Sequence, residues 1–246
     1  MSTVALVPCR LGSTGIPEKN FRPLAGFALV GWVVAAAAGA KLVERIVVIT
    51  DALERAEAGI QFAAPHARFE TVREPASLAE GHVPDLPVAQ CAVETLELKD
   101  DDLLVWLRPT SPFVRPIHID SVVALATCVD LPEASVRSVV PALQHPAKMY
   151  AEDIPMTAQA KCLVPLLGRQ QSRANHPRQG LAAAWLAAGY VDAMRVRTVR
   201  GGQMDGWPIL AWPVPEGRHI DIDTEADWQR GEILALERGW RPGQVG

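Results

Sequence analysis

The chain has 246 residues, 49% of them hydrophobic and 21% charged, with a net charge of −4. That length and apolar content suit one α/β domain with a large core and a small insertion. The acidic balance argues against a nucleic-acid surface, which needs a basic face, so any phosphate site has to be a local concentration of positive charge.

Cys9, Cys91, Cys128 and Cys162 are far apart and form no C-x-x-C pair, which predicts reduced thiols in a cytoplasmic protein. The N-terminus enters a strand pattern directly, with no signal-peptide pattern. Pro23 to Ala40 carries no charge. Pro23 and Gly26 break its start, and the Ala-rich remainder has the length of a buried helix rather than a span. No membrane partner is expected.

Val4–Val7 reads as a buried strand that runs into a turn rich in Gly, Ser and Pro, with Arg10 and Lys19 at its ends. Residues 28–40 predict a helix buried on nearly all sides, and Ile46–Ile49 a strand covered on both faces. Helix 52–62, strand 68–72, helix 84–98, strand 103–107, helix 117–128 and strand 135–140 follow. Repeated β-α units imply a doubly wound, mostly parallel sheet. Residues of about 141–187 lose this periodicity and read as an insertion into a single domain spanning 1–246. Strand character returns at 189–197 and 209–214. Thr224 and Asp227 have the spacing of an N-cap and its reciprocal carboxylate, which places a last helix after Thr224.

The turn after the first strand is suited to phosphate. Gly12 and Gly15 let backbone N–H groups approach an anion, and Arg10 and Lys19 add fixed charge. It is neither G-x-G-x-x-G nor G-x-x-x-x-G-K-[ST]. Read alone, it is more simply a Gly/Pro turn with two solvated cations. Asp51, Arg73 and the 108–112 loop also follow predicted strands, so the carboxyl edge of one sheet brings them together. Asp221 and Asp223 are two apart on an extended segment and share a face, as a Mg²⁺ pair would. The alternative is a helix-start cluster, which explains Glu225 and Asp227 but not Asp221.

The turn, Arg10-Leu11-Gly12-Ser13-Thr14-Gly15-Ile16-Pro17-Glu18-Lys19-Asn20, resembles the R-x-G-S-K-G-I-P-x-K-N signature of the sugar-acid cytidylyltransferases, the CMP-N-acetylneuraminic acid synthetase family. Further matches follow in family order: Thr50-Asp51, Arg73-Glu74-Pro75 with Leu78-Ala79, Arg108-Pro109-Thr110-Ser111-Pro112, His145-Pro146-Ala147-Lys148-Met149, Arg178-Gln179 and Asp221-Ile222-Asp223-Thr224. The resemblance implies a Rossmann-like nucleotidyltransferase fold. It also implies transfer of CMP from CTP to the anomeric hydroxyl of a sialic-acid-like 2-keto sugar acid, with release of pyrophosphate. Arg10, Lys19 and Asp223 would be catalytic. Leu11, Gly12, Ser13, Thr14, Asn20 and Arg73 would hold the nucleotide. Arg108, Thr110, Ser111, Gly189 and Tyr190 would hold the sugar, with Arg108 replacing a common family Gln and suiting an anionic substituent. Asp221 and Asp223 would bind Mg²⁺. The insertion would make a homodimer in which Lys148 and Arg178 reach the partner's site. His145 is assigned neither a catalytic nor a metal role.

Two positions depart from the pattern. Thr14 stands where the family has Lys, removing one charge from the phosphate loop, and Ala188 stands where an Asn would touch the sugar. Both are expected in the site rather than the core. They leave open a non-catalytic or altered-specificity binder, or a nucleotide other than CTP.

Overall fold

The computed structural model describes residues 1–13, 15–80, 83–129, 131–155 and 161–245, in two units: Met1–Ser138 with Ala188–Gly246, and Val139–Ala187. The first unit opens with β1 (Thr3–Pro8), a short hairpin β2 (Pro23–Leu24) and β3 (Phe27–Ala28), and α1 (Leu29–Gly39). It continues through β4 (Arg45–Thr50), α2 (Leu53–Ala63), β5 (Glu70–Arg73), α3 (Asp85–Thr95), β6 (Leu103–Trp106) and α4 (Pro116–Cys128). Strand β7 (Ser135–Pro141) carries the chain into the second unit, which holds the antiparallel hairpin β8 (Tyr150–Pro155) and β9 (Lys161–Pro165) and the strand β10 (Trp185–Ala187). The first unit resumes with β11 (Asp192–Arg195), α5 (Val196–Arg200), β12 (Ile209–Pro213) and α6 (Glu225–Glu237).

The sheet of the first unit has the order β5-β4-β1-β6-β11-β7, with β12 on β7. β1 is parallel to both neighbours, pairing Val4 with Arg45 on one side and with Leu104 on the other. β11 runs antiparallel to β6 and β7, so β7 keeps the common direction. The expected doubly wound, mostly parallel sheet is therefore present. The strand expected over 189–197 is shorter. Gly189 sits at φ +60°, and from Val196 the backbone turns into α5, donating to the Asp102 carbonyl at 3.0 Å. Among the described residues no α-helix lies between β7 and β11 to make a crossover, and the return gives an antiparallel pair.

Alternation along β1 explains why the whole strand is apolar. Val4 and Leu6 join Ile49, Trp106 and the inner face of α3 in one cluster, and the intervening residues point to the opposite face. Helix α1 is buried from Leu29 through Ala37, as its lack of charge predicts. A second cluster joins Ile16, Trp32, Phe113, Ile222 and Trp228. It ties the turn after β1 to the segment ahead of α6. That segment is fixed by the expected cap: the Thr224 hydroxyl accepts from the Asp227 amide at 3.2 Å, and the Asp227 carboxylate accepts from the Thr224 amide at 2.9 Å. Among the described residues no helix is long and apolar enough to cross a membrane.

The chain leaves β1 for β4 and β5 on one side, then returns to β6 on the other. A crevice opens at the carboxyl ends of β1 and β6, where such a reversal occurs.

Candidate active site

Backbone geometry is set first. Beyond β1, the Thr50 hydroxyl donates to the Cys9 carbonyl at 2.5 Å, and the Asp51 carboxylate accepts from the Leu11 amide at 2.7 Å. Asn20 Nδ2 donates to the Arg10 carbonyl at 2.9 Å, closing the turn on itself. Arg10 is anchored by a 2.9 Å bond to the Glu80 carbonyl. Three stretches of chain then meet. A Cβ on Gly15 would overlap the Asp223 carbonyl, and the Ile222 amide donates to the Thr110 carbonyl at 2.9 Å. The turn after β1, the loop after β6 and the segment before α6 are thus in direct contact.

Between them lies a cleft of about 510 Å³. Its lining includes the cations Arg10, Lys19 and Arg108 and the acids Glu74, Asp85, Asp221 and Asp223. Lys19 is 9% exposed, and its Nζ donates to the Ile222 carbonyl and to the Asp223 carboxylate, both at 2.7 Å. Asp221 accepts from the Thr110 hydroxyl, yet its pKa lies above the ordinary range because desolvation in the cleft outweighs that bond and the Asp223 charge adds to it. The two carboxylates feel one another's charge and together present hard oxygen donors to the cleft.

Arg108 is held rather than loose. It donates to Asp85 at 2.5 Å and to Asp192 at 3.1 Å, and Asp192 also accepts from Arg137 at 2.6 Å. Burial works against its charge, but the two carboxylates more than offset that and raise its pKa. Glu74 is 4% exposed, and its pKa is pushed up to about 7 by desolvation and by the charge of Asp51, with Arg10 opposing.

The cytidylyltransferase family profile matches residues 4–128, from β1 to the end of α4. The chain belongs to the cytidylyltransferase family. N-acylneuraminate cytidylyltransferase A of Danio rerio is 31% identical over 237 residues, which is 96% of this chain and 51% of that protein. CMP-N,N'-diacetyllegionaminic acid synthase of Legionella pneumophila is 35% identical over 118 residues, 47% of this chain and 49% of that protein. The chain thus spans about half the length of the first of these relatives. In fold it is similar to a CMP:2-keto-3-deoxy-manno-octonic acid synthetase complexed with CTP, with a TM-score of 0.66 at 15% identity over 96% of this chain and 99% of that one.

In this cytidylyltransferase-family chain, Arg10, Gly12, Ser13, Lys19, Asn20, Arg108, Thr110, Asp221 and Asp223 all line the cleft. Others do not. Arg73 borders a separate cavity with Asp51, Pro75 and Ala79. It ends β5 while the next residue, Glu74, faces the cleft, as alternation at a strand end requires. Leu11 is outside the lining and acts through its amide. Tyr190, expected at the sugar, is fully buried; its hydroxyl donates to the Phe113 carbonyl at 2.8 Å and its ring packs on His118, whose pKa burial lowers to about 4. Ser111 is 1% exposed and bonds the Gly189 carbonyl at 3.3 Å, so both serve to pack the loop. A Cβ on Gly189 would meet Arg108 at 3.5 Å, which makes Gly189 a support for that side chain.

Ala188 also corrects an expectation. It is 2% exposed, and its amide donates to the Ser138 carbonyl at 2.8 Å, so this departure falls in the core and not in the site. Thr14 lies outside the described residues. In the second unit, His145 caps a short helical turn by accepting from the Ala147 amide at 3.1 Å, Lys148 ends that turn, and Arg178 donates to the Ala142 carbonyl at 3.2 Å. Sequence reasoning missed two acids in the cleft, Glu74 and Asp85. Glu74 stood inside a matched segment, but no charge partner in sequence marked it.

Proposed function

We propose that this chain transfers CMP from CTP to the anomeric hydroxyl of a sialic-acid-like 2-keto sugar acid. The sugar oxygen would form a bond to the α-phosphorus, the bond from that phosphorus to the β-phosphate oxygen would break, and pyrophosphate would leave as the hydroxyl proton is lost. The observation that carries this reading is the convergence of Arg10, Lys19, Asp221 and Asp223 on one cleft at the strand-order reversal. Its volume of about 510 Å³ suits a small-molecule ligand. Arg10 and Lys19 are set to neutralise the leaving phosphates, which is the main task in phosphoryl transfer.

A Mg²⁺ ion fits this donor set. Mg²⁺ takes one or two carboxylates beside phosphate oxygens and water, and Asp221 and Asp223 are two such oxygens with a mutual repulsion to relieve. When bound, the metal would supply charge to the phosphates. Arg108, fixed by Asp85 and Asp192, would present its guanidinium edge to the sugar end of the cleft.

The second unit supports a homodimer reading. Leu143, Leu163, Trp185 and Leu186 are all large, apolar and exposed there. Exposed apolar side chains that gather into one patch mark an interaction site. In that dimer Lys148 and Arg178 would serve the partner's cleft.

The test is pyrophosphate release with CTP and Mg²⁺ across a panel of 2-keto sugar acids, with an Asp221→Ala/Asp223→Ala double variant as control. Release with one sugar, absent in the control, is the expected result. No release with any sugar, from protein shown to bind CTP, would sink the transferase reading and leave a nucleotide binder.

A further inference from the structure

Glu74 has no evident structural purpose. It is 4% exposed, and its Oε2 is fully buried without a hydrogen-bond partner among the described residues. A buried carboxylate left unpaired is costly, and unpaired polar atoms in native structures call for a reason. The backbone at this position is already satisfied, since the Glu74 amide donates to the Thr50 carbonyl at 2.8 Å. The residue lines the main cleft and also the cavity lined by Asp51 and Arg73.

None of the described groups around Glu74 completes it. Asp51, at the end of β4, repels its charge, and the Cys9 thiol after β1 is pushed up by its burial first and then by the charges of Asp51 and Glu74. Arg10, from the turn after β1, attracts it, yet Oε2 accepts no hydrogen bond from it or from any other described residue. What the ionised Glu74 lacks among the described residues is a donor, and a ligand in the cleft that it lines can supply one. A triphosphate offers only acceptors. A nucleoside offers N–H and O–H donors. The sugar end, at Arg108 and Thr110 after β6, lies across β1 and β4 from the end of β5 in the sheet order.

We propose that Glu74 is a nucleoside-reading residue: its carboxylate accepts a hydrogen bond from a donor on the bound nucleoside, either the exocyclic amino group of cytosine or a ribose hydroxyl. This rests on the CTP reading above. An acidic side chain suits both donors. Carboxylates accept from the cytosine amino group in base readout, and a carboxylate at a strand end holds ribose hydroxyls in doubly wound folds. Binding would also replace the missing partner, so the empty site carries a cost that the correct nucleotide removes and a wrong one does not.

The experiment is calorimetric titration of wild type, Glu74→Gln and Glu74→Ala with CTP, UTP, 2′-deoxy-CTP and inorganic tripolyphosphate, each with Mg²⁺. UTP replaces the amino donor by a carbonyl, and 2′-deoxy-CTP removes one hydroxyl. Wild type should prefer CTP over the analogue that lacks the donor by roughly ten- to a hundredfold, the worth of a hydrogen bond to a charged group. Glu74→Ala should erase that preference and leave tripolyphosphate binding unchanged. If the base is read, Glu74→Gln should gain on UTP, because an amide can donate to its carbonyl. CTP binding to wild type near pH 7 should also release a proton that neither variant releases. Two results overturn the proposal: unchanged CTP selectivity in Glu74→Ala, or an equal loss for tripolyphosphate, which would put Glu74 at the phosphates. If wild type binds tripolyphosphate but no nucleotide, the CTP reading falls, and this one with it. Thermal unfolding of both variants separates lost binding from lost fold.

Discussion

Lys19 Nζ and the Asp223 carboxylate meet at 2.7 Å across the mouth of the cleft, with the lysine side chain 11% exposed and the aspartate side chain 66%. On the proposed reading, the cation that would neutralise the leaving phosphates and the acid that would hold the metal are each other's partner. Lys19 also donates to the Ile222 carbonyl, so it would keep one partner if Asp223 turned to a metal ion. The pair therefore positions Lys19 before the nucleotide arrives. Lys19→Ala should lower kcat by roughly 10²- to 10³-fold, the scale of losing one preorganised charge stabiliser. Asp223→Asn should chiefly raise the Mg²⁺ concentration needed for half-maximal rate, and circular dichroism should show both variants folded. An Asp223→Asn enzyme with unaltered Mg²⁺ dependence would place the metal elsewhere.

Gly15 is where the phosphate turn touches the Asp221–Asp223 segment. An added methyl group would overlap the Asp223 carbonyl, which is backbone and cannot rotate away. Gly15→Ala should cost about 1–3 kcal/mol of stability, as overpacking does, and should push the turn and the aspartates apart. The check is urea unfolding together with CTP titration. Gly12→Ala is the comparison, since its nearest neighbour would be the Ala79 carbonyl at an ordinary 3.7 Å. Equal effects at the two glycines would contradict the contact.

Much of this was legible because the informative residues lie near one another in sequence or follow a repeating rule. The turn from Arg10 to Asn20 is continuous, the Thr224–Asp227 cap is one helical turn, and the β-α alternation fixes which edge each strand end reaches. The errors came where tertiary packing decides. Nothing local says that Tyr190 turns inward to bond the Phe113 carbonyl 77 residues earlier, or that Ser111 spends its hydroxyl on Gly189. Arg73 and Glu74 show the same limit at finer scale. The strand end was found, but which of two charged neighbours faces the cleft depends on register by one residue.

Asp192 is the buried centre of a charge chain running from the cleft inward. At 1% exposure it accepts from Arg108, from Arg137, and from the amide and hydroxyl of Ser138 at 3.0 and 3.1 Å. Arg137 in turn pairs with Asp205. Removing Asp192 would leave two guanidiniums and Ser138 short of an acceptor. Asp192→Ala should lose about 3–5 kcal/mol in equilibrium unfolding, the usual cost of breaking a buried pair from one side. The milder Asp192→Asn should retain the fold but loosen Arg108, so the KM for the sugar acid should rise with little change in that for CTP. A rise in the CTP KM alone would show that Arg108 does not face the sugar.

Glu74 should leave a signature in stability as well as in binding. Its pKa is raised from 4.5 to about 7 in the folded protein. Below about pH 4.5 both folded and unfolded chains carry its proton, and no difference exists. Between 4.5 and 7 the unfolded chain gives up the proton while the folded one keeps it, so the folded state binds more protons and stability falls as pH rises. Above 7 the penalty is complete, at most roughly 3 kcal/mol. Carboxylates held low by partners, such as Glu70 by Arg45 and Asp227 by Thr224, act in the opposite sense and lose their contribution in acid. The difference between wild type and Glu74→Gln isolates the one group. Without nucleotide, the variant should match wild type near pH 4.5 and become progressively more stable than wild type up to pH 8, in urea unfolding across that range. Saturating CTP should shrink the gap at pH 8, because the bound nucleoside supplies the partner that wild type otherwise lacks. A constant gap from pH 4.5 to 8 would mean that Glu74 titrates as an ordinary carboxylate and is not isolated in the cleft wall.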